Sequence, residues 1–178
     1  MNNMKKIGLT GVLIVVFLMF TACHERQQNQ SQVNDSQLKE SLEKANRYMV
    51  NDEEEDIKNY IARHKLNMVA TGTGLRYQII QQGEDEQIRP GQTVTVDYVL
   101  KNIMGDVIYS GDNDGVMTFD VGCGDVVSGL DEALTHLHKG DVATIIIPSH
   151  LGYGLLGDQK SIPERATLIY VVKIVDVK

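Results

Sequence analysis

The sequence TLIYVVKIVDV at residues 167–177 is the stretch on which the fold prediction rests. Its apolar residues recur at every second position, which places Leu168, Tyr170, Val172 and Ile174 on one face of an extended chain. A period of two residues is typical of a β-strand that packs one face against a core. A preceding apolar run of strand length, at Val142–Pro148, predicts a second strand.

Segments upstream of this pair show the same period. Alternation predicts three more strands, at Leu75–Ile79, Val94–Leu100 and Met117–Val121. Only one helix interrupts them, because Leu130, Leu134 and Leu137 share a helical face that ends before Gly140. Strands without βαβ alternation predict an α+β fold, in which an antiparallel sheet wraps over one short helix.

Composition excludes several classes of protein. The chain has 178 residues, only three prolines, two cysteines and a formal net charge of −7. Few prolines and recurrent charges exclude collagen and low-complexity disorder. The negative charge argues against a nucleic-acid partner, which would need a basic face. No Cys/His spacing resembles a zinc site, so we expect neither a metal nor a cofactor.

Residues 1–22 have the pattern of a secretion signal. Lys5 and Lys6 precede an uncharged run, Ile7–Phe20, that is shorter than the roughly 20 residues of a membrane-spanning helix. Ala22, a small residue, directly precedes Cys23. Apart from Phe20, the sequence of residues 20–23 resembles the bacterial lipobox. This resemblance implies an acylated Cys23 inserted in a lipid bilayer. His24 favours the outer membrane, facing the periplasm; the alternative is an uncut signal anchor.

The segment between Cys23 and the strands contains two kinds of sequence. Residues 23–35 are rich in Gln, Asn and Ser, which predicts a flexible tether. An apolar stripe at Leu38, Leu42 and Ala45 predicts a first helix. Asn51 is predicted to cap a second helix, because acidic residues follow it at positions 52–56. We therefore expect a helix pair over residues 36–70.

Two questions about this helix pair stay open. The acidic run could bind a metal ion, although capping and solvation of a first helical turn explain it more simply. The pair could pack on the main domain, or it could join a second copy as a homodimer through residues 36–67.

One motif suggests a nucleotide site and is rejected. Residues 152–157 spell G-x-G-x-x-G, but a dinucleotide site needs a helix that begins at the glycine run. Here Lys160–Pro163 leads into a strand instead, so the run is predicted to be a loop. No G-x-S-x-G elbow or Cys–His pair occurs either. The chemistry is expected to depend on an apolar pocket with a few polar groups.

Four segments in the last hundred residues form a specific combination of motifs: PGQTVTVDY (Pro90–Tyr98), VVSGLDEAL (Val126–Leu134), KGDVATIIIPSHLGYG (Lys139–Gly154) and IPERATLIYVVKI (Ile162–Ile174). Through these segments residues 71–178 resemble the FKBP-type peptidyl-prolyl cis-trans isomerases. The resemblance implies an antiparallel half-barrel sheet over one helix. It also implies an isomerase that acts on proline-containing segments of exported proteins in the envelope. Such a reaction rotates an amide bond and needs no nucleophile or proton relay.

The resemblance also implies roles for individual residues. Tyr153, Val127 and Tyr98 are expected to be catalytic: the Tyr153 hydroxyl and the Val127 N–H bind the peptide, and Tyr98 is an aromatic wall. Plain core packing is the alternative role. The residues implied in substrate binding are Tyr98, Ile108, Tyr109, Met117, Phe119, Val126, Val127, Leu130, Tyr153, Ile162 and Tyr170.

Several of these positions depart from the family pattern. Leu130 stands where well-known members have Trp, and Met117 replaces a usual Phe. Ile108 and Tyr109 replace a Phe-Asp pair, which removes a ring and a buried carboxylate, and Asp158 replaces a frequent His. These departures leave a second hypothesis open, a peptide-binding or chaperone module of the envelope with little or no catalysis. A purely structural lipoprotein that binds no peptide is a third.

Overall fold

A computed structural model describes residues 26–83 and 86–178 of the chain, with side chains from residue 35 onward. The predicted signal peptide, residues 1–22, and the predicted lipidation site Cys23 lie outside the described residues. Within the described part, no helix is both long enough and apolar enough to cross a membrane. The chain divides into two compact units after Val50, and the second unit, Asn51–Lys178, contains all the strands.

The second unit is an antiparallel sheet with helices on its faces, which confirms the predicted α+β class. The sheet order is β1-β2-β6-β7-β3-β4, and β5 pairs with β3 beside β4. The elements are α1 (Arg26–His64), β1 (Val69–Ala70), β2 (Arg76–Gln81), β3 (Thr93–Lys101), β4 (Val107–Ser110), α2 (Gly111–Asp114), β5 (Met117–Asp120), α3 (Ser128–Leu134), β6 (Val142–Ile147), a 3₁₀ turn (Ser149–Leu151) and β7 (Leu168–Val177).

The predicted helix pair is wrong, because α1 is a single helix of 39 residues. Asn51 lies inside it rather than at an N-terminus, and residues 26–35 of the predicted tether belong to it as well. The physical reason is that residues 26–64 contain neither glycine nor proline. Without such a residue the helical hydrogen-bond ladder continues through Asn51, whatever its preference for a capping position.

The acidic run at positions 52–56 does not cap a helix, and its Glu54 binds α1 to the sheet. Glu54 accepts hydrogen bonds from the Arg76 guanidinium at 2.6 and 2.7 Å, and Lys58 lies 3.3 Å away. Burial opposes ionisation of Glu54, but the two cations outweigh it and lower its pKa. Among the described residues, no cluster of His, Cys, Asp and Glu could hold a metal ion.

Strand β6 and the first residues of β7 are covered on both faces. On one face Ile57 and Tyr60 of α1 pack against Ile146 and Ile169. On the other face the predicted alternation of β7 is confirmed, because Leu168, Tyr170, Val172 and Ile174 all enter the main core. Two-sided burial explains why β6 is an almost continuous apolar run.

Helix α3 covers the inner face of the sheet and is shorter than predicted. It ends at Leu134, and two 3₁₀-type bonds then continue the turn, from the His136 N–H to the Ala133 carbonyl and from Leu137 to Leu134. Leu137 is therefore still buried, as its position in the predicted apolar stripe requires. Strand β4 was not predicted, since its four residues are too few to show a period.

Candidate functional site

A cavity of about 400 Å³ lies where β3, β4 and the β6–β7 connection meet. Its lining residues are Tyr98, Tyr109, Asp114, Tyr153, Asp158 and Lys160. Tyr98 lies on β3 and Tyr109 on β4, while Tyr153 lies in the predicted Gly152–Gly157 loop, which contains no α-helix or strand. The fold therefore brings together three predicted site residues that are far apart in sequence.

Three tyrosines in and beside the cavity, Tyr98, Tyr153 and Tyr170, have a raised pKa and are held in their neutral form. Burial is the first cause of a raised pKa at Tyr98, Tyr153 and Tyr170. Nearby acidic groups add to it, Asp114 at Tyr98 and Asp158 at Tyr153. Tyr170 is buried and its ring centroid lies 6.1 Å from that of Tyr98. Tyr153 stays 38% exposed, so its neutral hydroxyl can donate a hydrogen bond to a ligand.

A short hydrogen bond crosses the site between Tyr109 and Asp158. The Tyr109 hydroxyl donates to Asp158 Oδ2 at 2.5 Å. The backbone N–H groups of Ile162 and Lys160 donate to Asp158 Oδ1 at 2.8 and 2.9 Å. Desolvation opposes ionisation of Asp158, but these hydrogen bonds outweigh it and lower its pKa. The carboxylate that the Ile108-Tyr109 pair lacks is thus present at the site, supplied by Asp158.

The other predicted binding residues belong to the main core or pack against it. Four are buried in the main core: Phe119, Leu130, Ile162 and Tyr170. Four are partly buried and pack against that core: Ile108, Met117, Val126 and Val127. None of these eight lines the cavity itself. Their predicted contacts with a peptide stay predictions, whereas their packing role is observed.

Val127 lies at the start of α3, and its predicted contact with a peptide stays a prediction. It is the N-cap residue of α3, and its carbonyl accepts hydrogen bonds from Leu130 and Asp131. Its own N–H has no acceptor among the described residues. A free backbone donor beside a partly apolar wall suits the binding of a peptide carbonyl.

Sequence reasoning missed Asp114 and Lys160 as lining residues. Asp114 ends the one-turn helix α2, and its Oδ2 accepts a hydrogen bond from the Ser110 N–H at 2.9 Å. Lys160 is exposed in the β6–β7 connection. Both stand in short polar stretches, which predict a turn but not the cavity that the turn borders.

The arrangement can bind a peptide without covalent chemistry. Three tyrosines line the cavity beside two carboxylates and one lysine, and the Tyr109–Asp158 hydrogen bond ties two protein groups to each other. Such a site can hold a carbonyl group through a hydroxyl donor and border an apolar ring with an aromatic side chain.

Comparison with known proteins agrees with this geometry. A family model described as FKBP-type peptidyl-prolyl cis-trans isomerase matches residues 84–175. A probable FKBP-type isomerase, FkpA, of Neisseria meningitidis is 37% identical over 114 residues, which cover 64% of this chain and 41% of the relative. A probable FKBP-type isomerase of Haemophilus influenzae is 35% identical over 107 residues, 60% of this chain and 44% of the relative. The matches thus span less than half the length of these two relatives.

Solved structures give the same result for the fold. The crystal structure of FkpA from Escherichia coli matches 97% of this chain and 82% of that chain, with a TM-score of 0.64 and 25% identity. The crystal structure of AtFKBP13 matches 64% of this chain and all of that chain, with a TM-score of 0.61 and 25% identity. Because the family model covers more than half of the residues and the fold agrees, the chain belongs to the FKBP-type peptidyl-prolyl cis-trans isomerase family.

Proposed function

We propose that this protein catalyses cis-trans isomerisation of X–Pro bonds in exported proteins within the bacterial cell envelope. The observation that carries the proposal is the cavity lined by Tyr98, Tyr109 and Tyr153, in a chain of this family. The barrier to rotation about an X–Pro bond is about 18–20 kcal/mol because amide resonance keeps the bond planar. The twisted bond has lost that resonance and is less polar. The aromatic walls of the cavity therefore stabilise it relative to water.

Different residues of the site bind different groups of the twisted conformer. The Tyr153 hydroxyl donates to the carbonyl of the residue before the proline, and the Val127 N–H binds a second carbonyl. These two bonds hold one side of the X–Pro bond while the other side rotates. Tyr98 borders the proline ring with the buried Tyr170 behind it. Each tenfold rate gain needs about 1.4 kcal/mol, so a few such contacts give a useful acceleration.

A binding module without catalysis is the second candidate. One observation favours it: the Tyr109 hydroxyl is already bonded to Asp158, so this hydroxyl is not free to donate to the twisted amide. The two candidates share the cavity and differ only in whether the twisted conformer is bound better than the planar one.

The first prediction concerns Tyr153. Tyr153→Phe removes only the hydroxyl, and we expect kcat/KM to fall about tenfold, the effect of losing one hydrogen bond of about 1.4 kcal/mol made to the twisted amide. The measurement is a protease-coupled assay with a proline peptide. Tyr48→Phe is the matched control, because Tyr48 is an exposed residue of α1 outside the site. No acceleration by the wild type above buffer would exclude catalysis, and peptide titration would then test the binding module.

The second prediction concerns pH. Because the pKa of Asp158 lies below its ordinary value of 3.8, its ionised form stabilises the folded protein above that value. This stabilisation is lost as the pH falls through the lowered pKa. Tyr109→Phe removes the hydroxyl donor, so the pKa of Asp158 should rise towards 3.8. A carboxyl ¹³C NMR titration measures both values; an unchanged Asp158 titration in Tyr109→Phe would contradict the role of this bond.

The third prediction concerns the membrane anchor. We propose that Cys23 is acylated and holds the protein on the envelope membrane, facing the periplasm. The full chain expressed in a bacterium should then incorporate labelled palmitate, whereas Cys23→Ser should not. Cys123→Ser is the matched control, because Cys123 is an exposed free thiol in the isomerase domain. Equal labelling of the wild type and Cys23→Ser, or an unlabelled wild type, would refute the anchor.

The fourth prediction concerns self-association. We propose that a second copy of the chain pairs along the stripe formed by Leu38, Leu42, Ala45 and Met49. Its 4-3-4 spacing is that of a coiled-coil seam, and Leu38 and Leu42 are 56% and 60% exposed. The proposed pairing surface is narrower than the predicted range of residues 36–67. The reason is that Ile57 and Tyr60 are already buried against the sheet.

Light scattering after size-exclusion chromatography tests this pairing on the full chain with Cys23→Ser. We expect a dimer mass, and a monomer mass for Leu42→Glu because a buried carboxylate is placed in the seam. Arg47→Glu lies on the opposite side of the helix and should stay dimeric. A monomeric parent protein, or a dimeric Leu42→Glu, would refute the seam.

A further inference from the structure

One carboxylate on α1 meets both ends of the connection that carries Tyr153. Glu53 Oε1 accepts a hydrogen bond from the Ser149 N–H at 2.6 Å and from the Thr167 hydroxyl at 2.7 Å. Glu53 Oε2 accepts from the Ser149 hydroxyl at 2.9 Å. Ser149 lies two residues after Ile147, the last residue of β6, and Thr167 directly precedes β7. Glu53 thus bridges the start and the end of the β6–β7 connection.

Both hydroxyl partners are buried. Ser149 and Thr167 are 8% and 6% exposed, so water has little access to replace a lost acceptor. Hydrogen bonds to an ionised carboxylate are also roughly twice as strong as neutral ones. The bridge is therefore a strong restraint, and the groups that it satisfies have no ready substitute.

The position of Glu53 is fixed by its own helix. Ile57 follows one turn later on the same face, is 1% exposed, and packs with Ile146 and Ile169 near the same ends of β6 and β7. The neighbouring Glu54 is held by Arg76 of β2. Because α1 is thus anchored on the outer face of the sheet, the Glu53 carboxylate acts as a fixed acceptor.

A short chain of backbone bonds links this acceptor to Tyr153. The Ser149 carbonyl accepts hydrogen bonds from the Gly152 N–H at 3.0 Å and from the Gly154 N–H at 2.8 Å, on either side of Tyr153. The Gly154 carbonyl in turn accepts from the Arg165 N–H at 2.7 Å, close to Thr167. By contrast, Leu155 and Leu156 are 68% and 76% exposed, so burial does little to restrain this part of the loop.

We propose that Glu53 is a positioning residue for Tyr153, acting from the opposite face of the sheet through Ser149 and Thr167. The inference rests on the proposed isomerase function of the Tyr153 site. Glu53 does not line the cavity and reaches the substrate only through the loop. Helix α1 is then part of the catalytic apparatus, because it determines where the Tyr153 hydroxyl stands.

The test uses the full chain with Glu53→Leu, which keeps the helix and the side-chain volume but removes the acceptor. Displacement of a substrate-binding group can lower a rate by up to about 100-fold, and we expect a fall in kcat/KM of about tenfold for Glu53→Leu. Glu53→Gln should lie between this variant and the wild type, because its amide oxygen can still accept from Ser149 or Thr167. Glu55→Leu is the matched control on the exposed side of α1, with wild-type activity expected.

Hydrogen exchange supplies a readout that does not depend on activity. In Glu53→Leu, the Gly152 and Gly154 amides should exchange about tenfold or more faster than in the wild type, while amides of β3 and β7 keep their protection. Ser149→Ala combined with Thr167→Val removes the two hydroxyl donors but keeps the Ser149 N–H bond to Glu53, so its effect should be smaller than that of Glu53→Leu. Adding Glu53→Leu to this pair should then raise the exchange of Gly152 and Gly154 to the rate of Glu53→Leu alone.

Three results would overturn the proposal. The first is wild-type exchange of Gly152 and Gly154 in Glu53→Leu. The second is an equal loss of protection throughout the sheet, which would show that Glu53 supports only overall stability. The third is an unchanged kcat/KM in a variant whose loop amides exchange faster. If the wild type itself fails to catalyse, the proposed function fails, and the exchange data still decide whether Glu53 holds the loop.

Discussion

The burial of β6 and of the first residues of β7 on both faces is the constraint on which the rest of this structure depends. Ile145 and Ile147 of β6 face the core that α3 completes, while Ile146 faces α1. A strand with apolar residues on both sides needs a cover on each side, since exposed apolar surface is unfavourable in water. Helix α1 is therefore an integral layer of the second unit from Asn51 onward, and its end is fixed against the sheet.

This packing on both faces explains how the long irregular connection between β6 and β7 can present a defined site. The two strands end in a tightly packed core, so the chain between them starts and finishes at fixed points. Glu53 binds Ser149 and Thr167, one at each end of this connection, from the outer face of the sheet. Backbone hydrogen bonds of Ser149 and Gly154 then restrain the chain on both sides of Tyr153. An exposed loop with glycines thereby holds a hydroxyl in one place, which non-covalent catalysis requires.

The Tyr109–Asp158 bond ties the site's strand β4 to the loop that faces it. The Tyr109 hydroxyl donates to the Asp158 carboxylate in the β6–β7 connection. Backbone N–H groups of Lys160 and Ile162 also bind this carboxylate. The bond therefore links the wall of the cavity to the segment that carries Tyr153.

The sequence by itself determined the strands, the α+β class and the tyrosines of the site, because a period of two and the family motifs are local patterns. It predicted Tyr98, Tyr109 and Tyr153, which the structure brings to one cavity. Only the tertiary structure decided that α1 is continuous and that its acidic run binds the sheet. The Glu53 hydrogen bonds join residues 96 and 114 positions apart, and no local pattern records such a pair. A carboxylate run in sequence is equally compatible with capping, solvation or anchoring, and the choice depends on which donors the fold places beside it.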